Sequence, residues 1–206
     1  MLSIKHIPVL VSLSFLFSMT FHDDLISMTF NDGVLEKPFV GGFNRPKIQW
    51  IDWDVDGDVD LFLLDASGYM HYFKNEGTST LPDFKLITPM FQEIFCGGWF
   101  YFADHDGDGD MDLTAQNMEN PNNVSYFQNN DGELTFLAVL NTNLGDNVVS
   151  SSVMTPTFAD LDDDGDFDFF TGNMTGTLNY YENIGMSSNI PQFEFITNSW
   201  QDIYIV

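Results

Sequence analysis

Three nine-residue stretches carry the chemistry of this sequence: Asp52-Trp-Asp54-Val-Asp56-Gly57-Asp58-Val-Asp60, Asp104-His-Asp106-Gly-Asp108-Gly109-Asp110-Met-Asp112 and Asp160-Leu-Asp162-Asp-Asp164-Gly165-Asp166-Phe-Asp168. Each places aspartate at the first, third, fifth, seventh and ninth positions and glycine at the sixth. In a compact loop these carboxylates repel one another, by roughly 4 kcal/mol for a pair about 4 Å apart at an effective dielectric near 20. A hard cation removes that cost, and an all-oxygen donor set on a short flexible loop suits Ca²⁺. Mg²⁺ fits less well, because it prefers octahedral sites that keep several waters. The glycine supplies the positive φ with which the chain curls around an ion. The competing reading is three solvated acidic turns that bind nothing.

The elements that must position these loops repeat with them. The loops start at residues 52, 104 and 160. A β-rich run precedes each: Ile48 to Ile51, Trp99 to Ala103 and Pro156 to Ala159. An apolar run follows each: Leu61 to Leu64, Leu113 to Ala115 and Phe169 to Phe170. Next comes an aromatic pair with Asn and Gly behind it, as Tyr72-Phe73-Lys-Asn75-Glu-Gly77, Tyr126-Phe127-Gln-Asn129-Asn-Asp-Gly132 and Tyr180-Tyr181-Glu-Asn183-Ile-Gly185. Pro82-Asp-Phe84 and Pro191-Gln-Phe193 continue two copies, and Thr135-Phe136 the other. Asp65 to Gly68 and Gly172 to Gly176 supply middle turns. Sustained helical periodicity is almost absent. Four short strands per unit of about 50 residues point to an all-β fold of propeller blades, four antiparallel strands each. The aromatic pairs are expected to pack between neighbouring blades.

The predicted division is a secretory signal over 1–20, lead-in strands over 21–47, and propeller repeats over 48–98, 99–152 and 153–206. In the first segment Lys5 and His6 precede an apolar run from Ile7 to Met19, with the small residues Ser18 and Thr20 ahead of cleavage. That run is short for a membrane span, so no insertion is expected after cleavage. A buried first strand or helix is the competing reading. The expected location is secreted or at the cell surface. Cys96 is the sole cysteine, so no intramolecular disulfide forms and metal takes over the cross-linking.

Composition excludes some partners. The chain has 206 residues, a net charge of -25 and six Lys and Arg, and the loops hold 16 of its 31 acidic residues, counting Asp163. Nucleic acid and anionic membrane need a basic patch, and none is evident. Hydrophobic content of 44% and aromatic content of 16% speak for a folded core rather than a disordered acidic tail.

At these residues the chain resembles the FG-GAP/VCBS repeat family, calcium-loop propellers related to the integrin α-subunit head. The resemblance covers about residues 40–206, and Lys37-Pro-Phe-Val-Gly-Gly-Phe-Asn-Arg-Pro resembles the lead-in of secreted bacterial members. It implies Ca²⁺ held by the first, third, fifth and ninth carboxylates and the seventh backbone carbonyl. The implied sites are Asp52, Asp54, Asp56, Asp60 with the carbonyl of Asp58; Asp104, Asp106, Asp108, Asp112 with that of Asp110; and Asp160, Asp162, Asp164, Asp168 with that of Asp166. The implied role is a binding or adhesion scaffold for a protein or glycan. The alternative is the accessory propeller of an extracellular carbohydrate-active enzyme resembling a polysaccharide lyase. Closed members have about seven blades, which needs on the order of 350–400 residues. Three blades therefore read as a fragment awaiting further blades, with self-association as the other option.

Rival loop types fit poorly. An EF-hand needs a bidentate glutamate at its twelfth position, where this chain has Leu63, Ala115 and Thr171. Thrombospondin-type repeats are cysteine-paired, and the Gly-Gly-x-Gly-x-Asp period of calcium β-helices is absent. Paired carboxylates can hydrolyse glycosides, but three near-identical loops imply three equivalent structural jobs, and no enzymatic activity is expected. His6, His22, His71 and His105 show no partnership, and His105, at a loop's second position, is expected to face solvent. Asn123-Val-Ser125 and Asn173-Met-Thr175 match glycosylation sequons.

Overall fold

The structure is a computed structural model and describes residues 28–30, 33–35, 43–151 and 153–204. The expected signal over 1–20 and most of the expected lead-in over 21–47 lie outside the described residues. The chain divides into two units, Met1–Gly42 and Phe43–Val206. In the first, β1 (Met28–Phe30) pairs antiparallel with β2 (Gly33–Leu35).

The second unit consists of three four-stranded antiparallel sheets, each a meander in chain order. The first sheet is β3 (Lys47–Ile51), β4 (Asp60–Leu64), β5 (Met70–Asn75) and β6 (Phe84–Thr88). The second is β7 (Phe100–Ala103), β8 (Asp112–Gln116), β9 (Val124–Asn130) and β10 (Glu133–Val139). The third is β11 (Thr157–Ala159), β12 (Asp168–Gly172), β13 (Leu178–Ser187) and β14 (Ile190–Thr197). Two one-turn 3₁₀ helices, Phe91–Glu93 and Trp200–Asp202, follow the outer strands of the first and third sheets. The four-strand unit expected from the repeat is thus present three times, and none of the sheets closes on itself. Among the described residues no helix is long and apolar enough to cross a membrane.

The sheets stack with their first strands side by side. Gln49 of β3 donates its side-chain amide to the Phe102 carbonyl at 2.6 Å and accepts the Phe102 N–H at 2.8 Å. Tyr101 of β7 donates its hydroxyl to the Phe158 carbonyl of β11 at 3.3 Å.

Strand periodicity then sends adjacent aromatics to opposite faces. Tyr72 joins Phe62, Leu64 and Met70 against Phe100, Phe102, Leu113 and Leu134 of the second sheet. Tyr126 joins Trp99, Val124 and Leu140 against Phe158, Phe169, Tyr181 and Phe193 of the third. Phe62, Phe169 and Phe193 are fully buried, each contributing about 1.5–3 kcal/mol of hydrophobic transfer. Of the aromatic pairs, Tyr72, Tyr126, Tyr180 and Tyr181 are buried, whereas Phe73 and Phe127 are half-buried on the other face. Cys96 is buried in the first of these clusters, where desolvation pushes its thiol pKa up.

Candidate metal centres

Each acidic loop joins the first strand of its sheet to the second, so a tight antiparallel pair fixes both ends. The β3–β4 ladder ends with Ile51 opposite Asp60, β7–β8 with Ala103 opposite Asp112, and β11–β12 with Ala159 opposite Asp168. Eight residues must reverse between those pairs, and positive φ makes this possible. Gly57, Gly109 and Gly165 have φ of +94°, +98° and +98°. Their N–H groups each donate to Oδ2 of the loop's first aspartate, Asp52, Asp104 or Asp160, at 3.1 Å. The fourth position is left-handed as well, at Val55 (φ 58°), Gly107 (φ 75°) and Asp163 (φ 63°). Only the middle loop has a glycine there, which is why one-sequence reading missed this second reversal.

The reversal gathers carboxylates. Asp52, Asp54 and Asp56 each bring an oxygen within 4.8 Å of the others, and so do Asp104, Asp106 and Asp108, and Asp160, Asp162 and Asp164. The fifth-position carboxylates also accept the seventh-position N–H, from Asp58, Asp110 and Asp166, at 3.2, 2.8 and 3.0 Å.

The remaining predicted ligands sit apart from these triplets. Asp60, Asp112 and Asp168 are buried at the start of the second strand. Their Oδ1 atoms accept the N–H of Asn75, Asn129 and Asn183 at 2.7, 2.8 and 2.9 Å. Their Oδ2 atoms accept the hydroxyls of Tyr72, Tyr126 and Tyr180 at 2.9, 2.8 and 3.0 Å. The ninth aspartate is therefore anchored to the third strand, and the repeated Tyr and Asn of the sequence pattern are its anchors. In the first loop Asp58 Oδ1 is enclosed without a hydrogen-bond partner. In the second, Asp110 Oδ2 accepts the Asp131 N–H at 3.2 Å.

The electrostatics record unrelieved negative charge. Burial, followed by repulsion from Asp56, Asp60, Asp52 and Asp54, raises the pKa of Asp58. Burial, with Asp164 and Asp168, raises that of Asp162, and burial with Asp164, Asp160 and Asp162 raises that of Asp166. Burial lifts Asp112 to about 6, against three hydrogen bonds that oppose the rise. A nearby cation would oppose these rises. In the first loop Lys74 Nζ pairs with Asp54 and lies 3.9 Å from Asp56 Oδ2. The all-oxygen donor set of each loop fits a hard divalent ion.

The second position turns inward in two loops. Trp53 packs edge-on against Phe62 and Phe91 of its own sheet region and against Phe102 of the next sheet, with ring centroids 5.5, 5.2 and 5.5 Å away. His105, expected to face solvent, is instead 4% exposed. Its ring sits among Tyr126, Phe158 and Phe167 at 5.9, 5.0 and 6.1 Å, and neither nitrogen has a hydrogen-bond partner among the described residues. The reason is the neighbouring sheet: Phe158 and Phe167 supply an apolar wall that a single repeat, read alone, does not reveal. Leu161, in the third loop, is 47% exposed.

At the opposite end of the sheets, before the first strands, a cavity of about 480 Å³ is lined by Arg45, Lys47, Asp65, Gly98 and Thr155 among others. Lys47 donates to the Gly98 carbonyl, and burial together with Arg45 lowers its pKa.

The family model for FG-GAP-like repeats matches residues 52–115 and, in an overlapping second copy, residues 104–171. Each match runs from the first aspartate of one loop into the strand after the next. No curated protein matches the chain.

Proposed function

The chain belongs to the FG-GAP-like repeat family, and from that premise we propose that it is an extracellular, calcium-binding β-propeller scaffold whose three acidic loops each hold one Ca²⁺ in a structural role. The observation that carries this reading is the convergence of three carboxylates in every loop, in a chain with a net charge of -25. Asp52, Asp54 and Asp56 would hold the first ion, Asp104, Asp106 and Asp108 the second, and Asp160, Asp162 and Asp164 the third. The seventh and ninth residues, Asp58 and Asp60, Asp110 and Asp112, Asp166 and Asp168, would complete each donor set. The ion supplies positive charge that offsets the mutual repulsion of the loop, so blade folding becomes calcium-linked. The rigid sheets then present the variable loops to a protein or glycan ligand, an adhesive rather than enzymatic role.

Calorimetric titration of the chain with Ca²⁺ tests this reading. Saturable binding of about three ions, with a rise in thermal stability, supports it, and absence of binding at millimolar calcium sinks it.

The cavity lined by Arg45 and Lys47 favours a second reading, an accessory propeller of an extracellular carbohydrate-active enzyme that engages an acidic glycan. Two cations at one opening, away from the acidic loops, suit a carboxylated sugar better than a neutral one. Binding of oligouronates but not of neutral oligosaccharides would favour it. Equal indifference to both would remove it.

A further inference from the structure

We propose that the residue between the aromatic pair and the asparagine of each sheet, Lys74, Gln128 or Glu182, grades the three loops in cation affinity, weakest in the first and tightest in the third. The inference rests on the reading of the loops as cation sites and adds an order among them.

The three residues occupy one structural place. Each stands two residues after the tyrosine that bonds the ninth aspartate, hence on the same face of its strand. Each directly precedes the asparagine whose N–H bonds that same carboxylate. From there the side chain of Lys74 reaches Asp54 and approaches Asp56, two members of the first triplet. Gln128 reaches the corresponding carboxylate of the second loop, donating its amide to Asp106 Oδ2 at 2.7 Å. Glu182 can donate nothing when ionised. It stands at the matching place on β13, paired across the ladder with Glu194, and adds a charge of the same sign on the side of the third loop; burial first, then Asp162, Asp168, Glu194 and Asp164, raise its pKa.

The chemistry at this place therefore runs from cation to neutral donor to anion. An incoming divalent ion must displace the Lys74 ammonium from Asp54 and then bind beside it. At the second loop it displaces a neutral amide. At the third it meets no donor from this position and gains a further negative charge. At surface dielectric, one unit charge near a divalent ion changes affinity on the order of tenfold. The first and third loops should then differ by roughly a hundredfold or more.

Calorimetric Ca²⁺ titration of the full chain tests this, with Lys74→Gln and Glu182→Gln beside the wild type. Both sites are on partly exposed positions, so folding should survive, and circular dichroism checks that it does. The wild type is expected to bind three ions in resolved steps. Lys74→Gln should tighten the weakest step about tenfold and leave the tightest alone, while Glu182→Gln should weaken the tightest about tenfold and leave the weakest alone. Three equal steps in all proteins, or changes that fall on the opposite steps, overturn the grading while leaving the loops as cation sites. No binding in any of the three overturns the underlying reading instead.

Discussion

Tyr72 donates its hydroxyl to Asp60 Oδ2 at 2.9 Å, across the β4–β5 pair. With the Asn75 N–H on Oδ1, both oxygens of this buried carboxylate are held by one strand. The same arrangement recurs at Asp112 and Asp168. A carboxylate of each loop is thus fixed to its sheet by hydrogen bonds that need no ion. Tyr126→Phe should consequently lower stability in calcium-free buffer by about 1–3 kcal/mol, since it leaves a buried charged acceptor short of a donor. Urea denaturation of the two proteins measures the difference, and coincident curves would mean that the tyrosine contributes packing alone.

Calcium removal should destabilise the chain more than any single hydrogen bond. At free calcium one hundred times the dissociation constant, each occupied site adds about 2.7 kcal/mol. A chelator is expected to lower the melting temperature, and excess calcium to restore it. An unchanged transition would speak against a structural ion.

Asp54→Ala, Asp106→Ala and Asp162→Ala each remove one member of a different triplet. Each should reduce the calorimetric stoichiometry by one ion and leave the other two sites intact. A loss of all binding from any one of them would show that the loops do not act separately.

His105→Phe should stabilise the protein. The imidazole is enclosed by Tyr126, Phe158 and Phe167 with both nitrogens unsatisfied among the described residues, and an unmet buried polar group costs about 1–3 kcal/mol. A phenyl ring suits the same aromatic setting without that cost. Thermal unfolding at neutral pH provides the check, and a fall in stability would point to an unrecognised partner of the imidazole.

Val55→Gly should also stabilise, by about 1 kcal/mol, because a β-branched residue is held at positive φ where glycine is at ease. The reciprocal Gly107→Ala should cost a similar amount, about 1 kcal/mol. Nothing lies within 4 Å of a Cβ at Gly107, so the cost there is conformational and not steric. Chemical denaturation of the pair separates this from any effect on calcium affinity.

Much of the architecture was legible because the loops and strands recur at similar intervals. Asp at alternate positions with Gly57, Gly109 or Gly165 marked the reversals, and the runs around them marked the strands. The partners across strands were not legible. Tyr72 meets Asp60, and Lys74 meets Asp54, through the β4–β5 register, and β5 itself shifts register against β6 between Tyr72 and Phe73. Intervals along the chain do not specify such pairings. His105 was misread for a related reason: beside Tyr126 of its own sheet, its ring is covered by Phe158 and Phe167, more than fifty positions later. The second reversal was not legible because its residue type varies, with β-branched Val55, Gly107 and Asp163 at one place.

The second loop position has a mechanical consequence. Trp53 and His105 lie on the same turns that gather the acids, yet their rings bear on Phe102 and Phe158 of the following sheet. A disturbance in the first or second loop is therefore transmitted forward, to the sheet that comes after it. Leu161 is 47% exposed, and the third loop meets the second through Phe167, whose ring lies against His105. A packing contact acts equally on both partners, so each of these two loops and the sheet that follows it respond to one another.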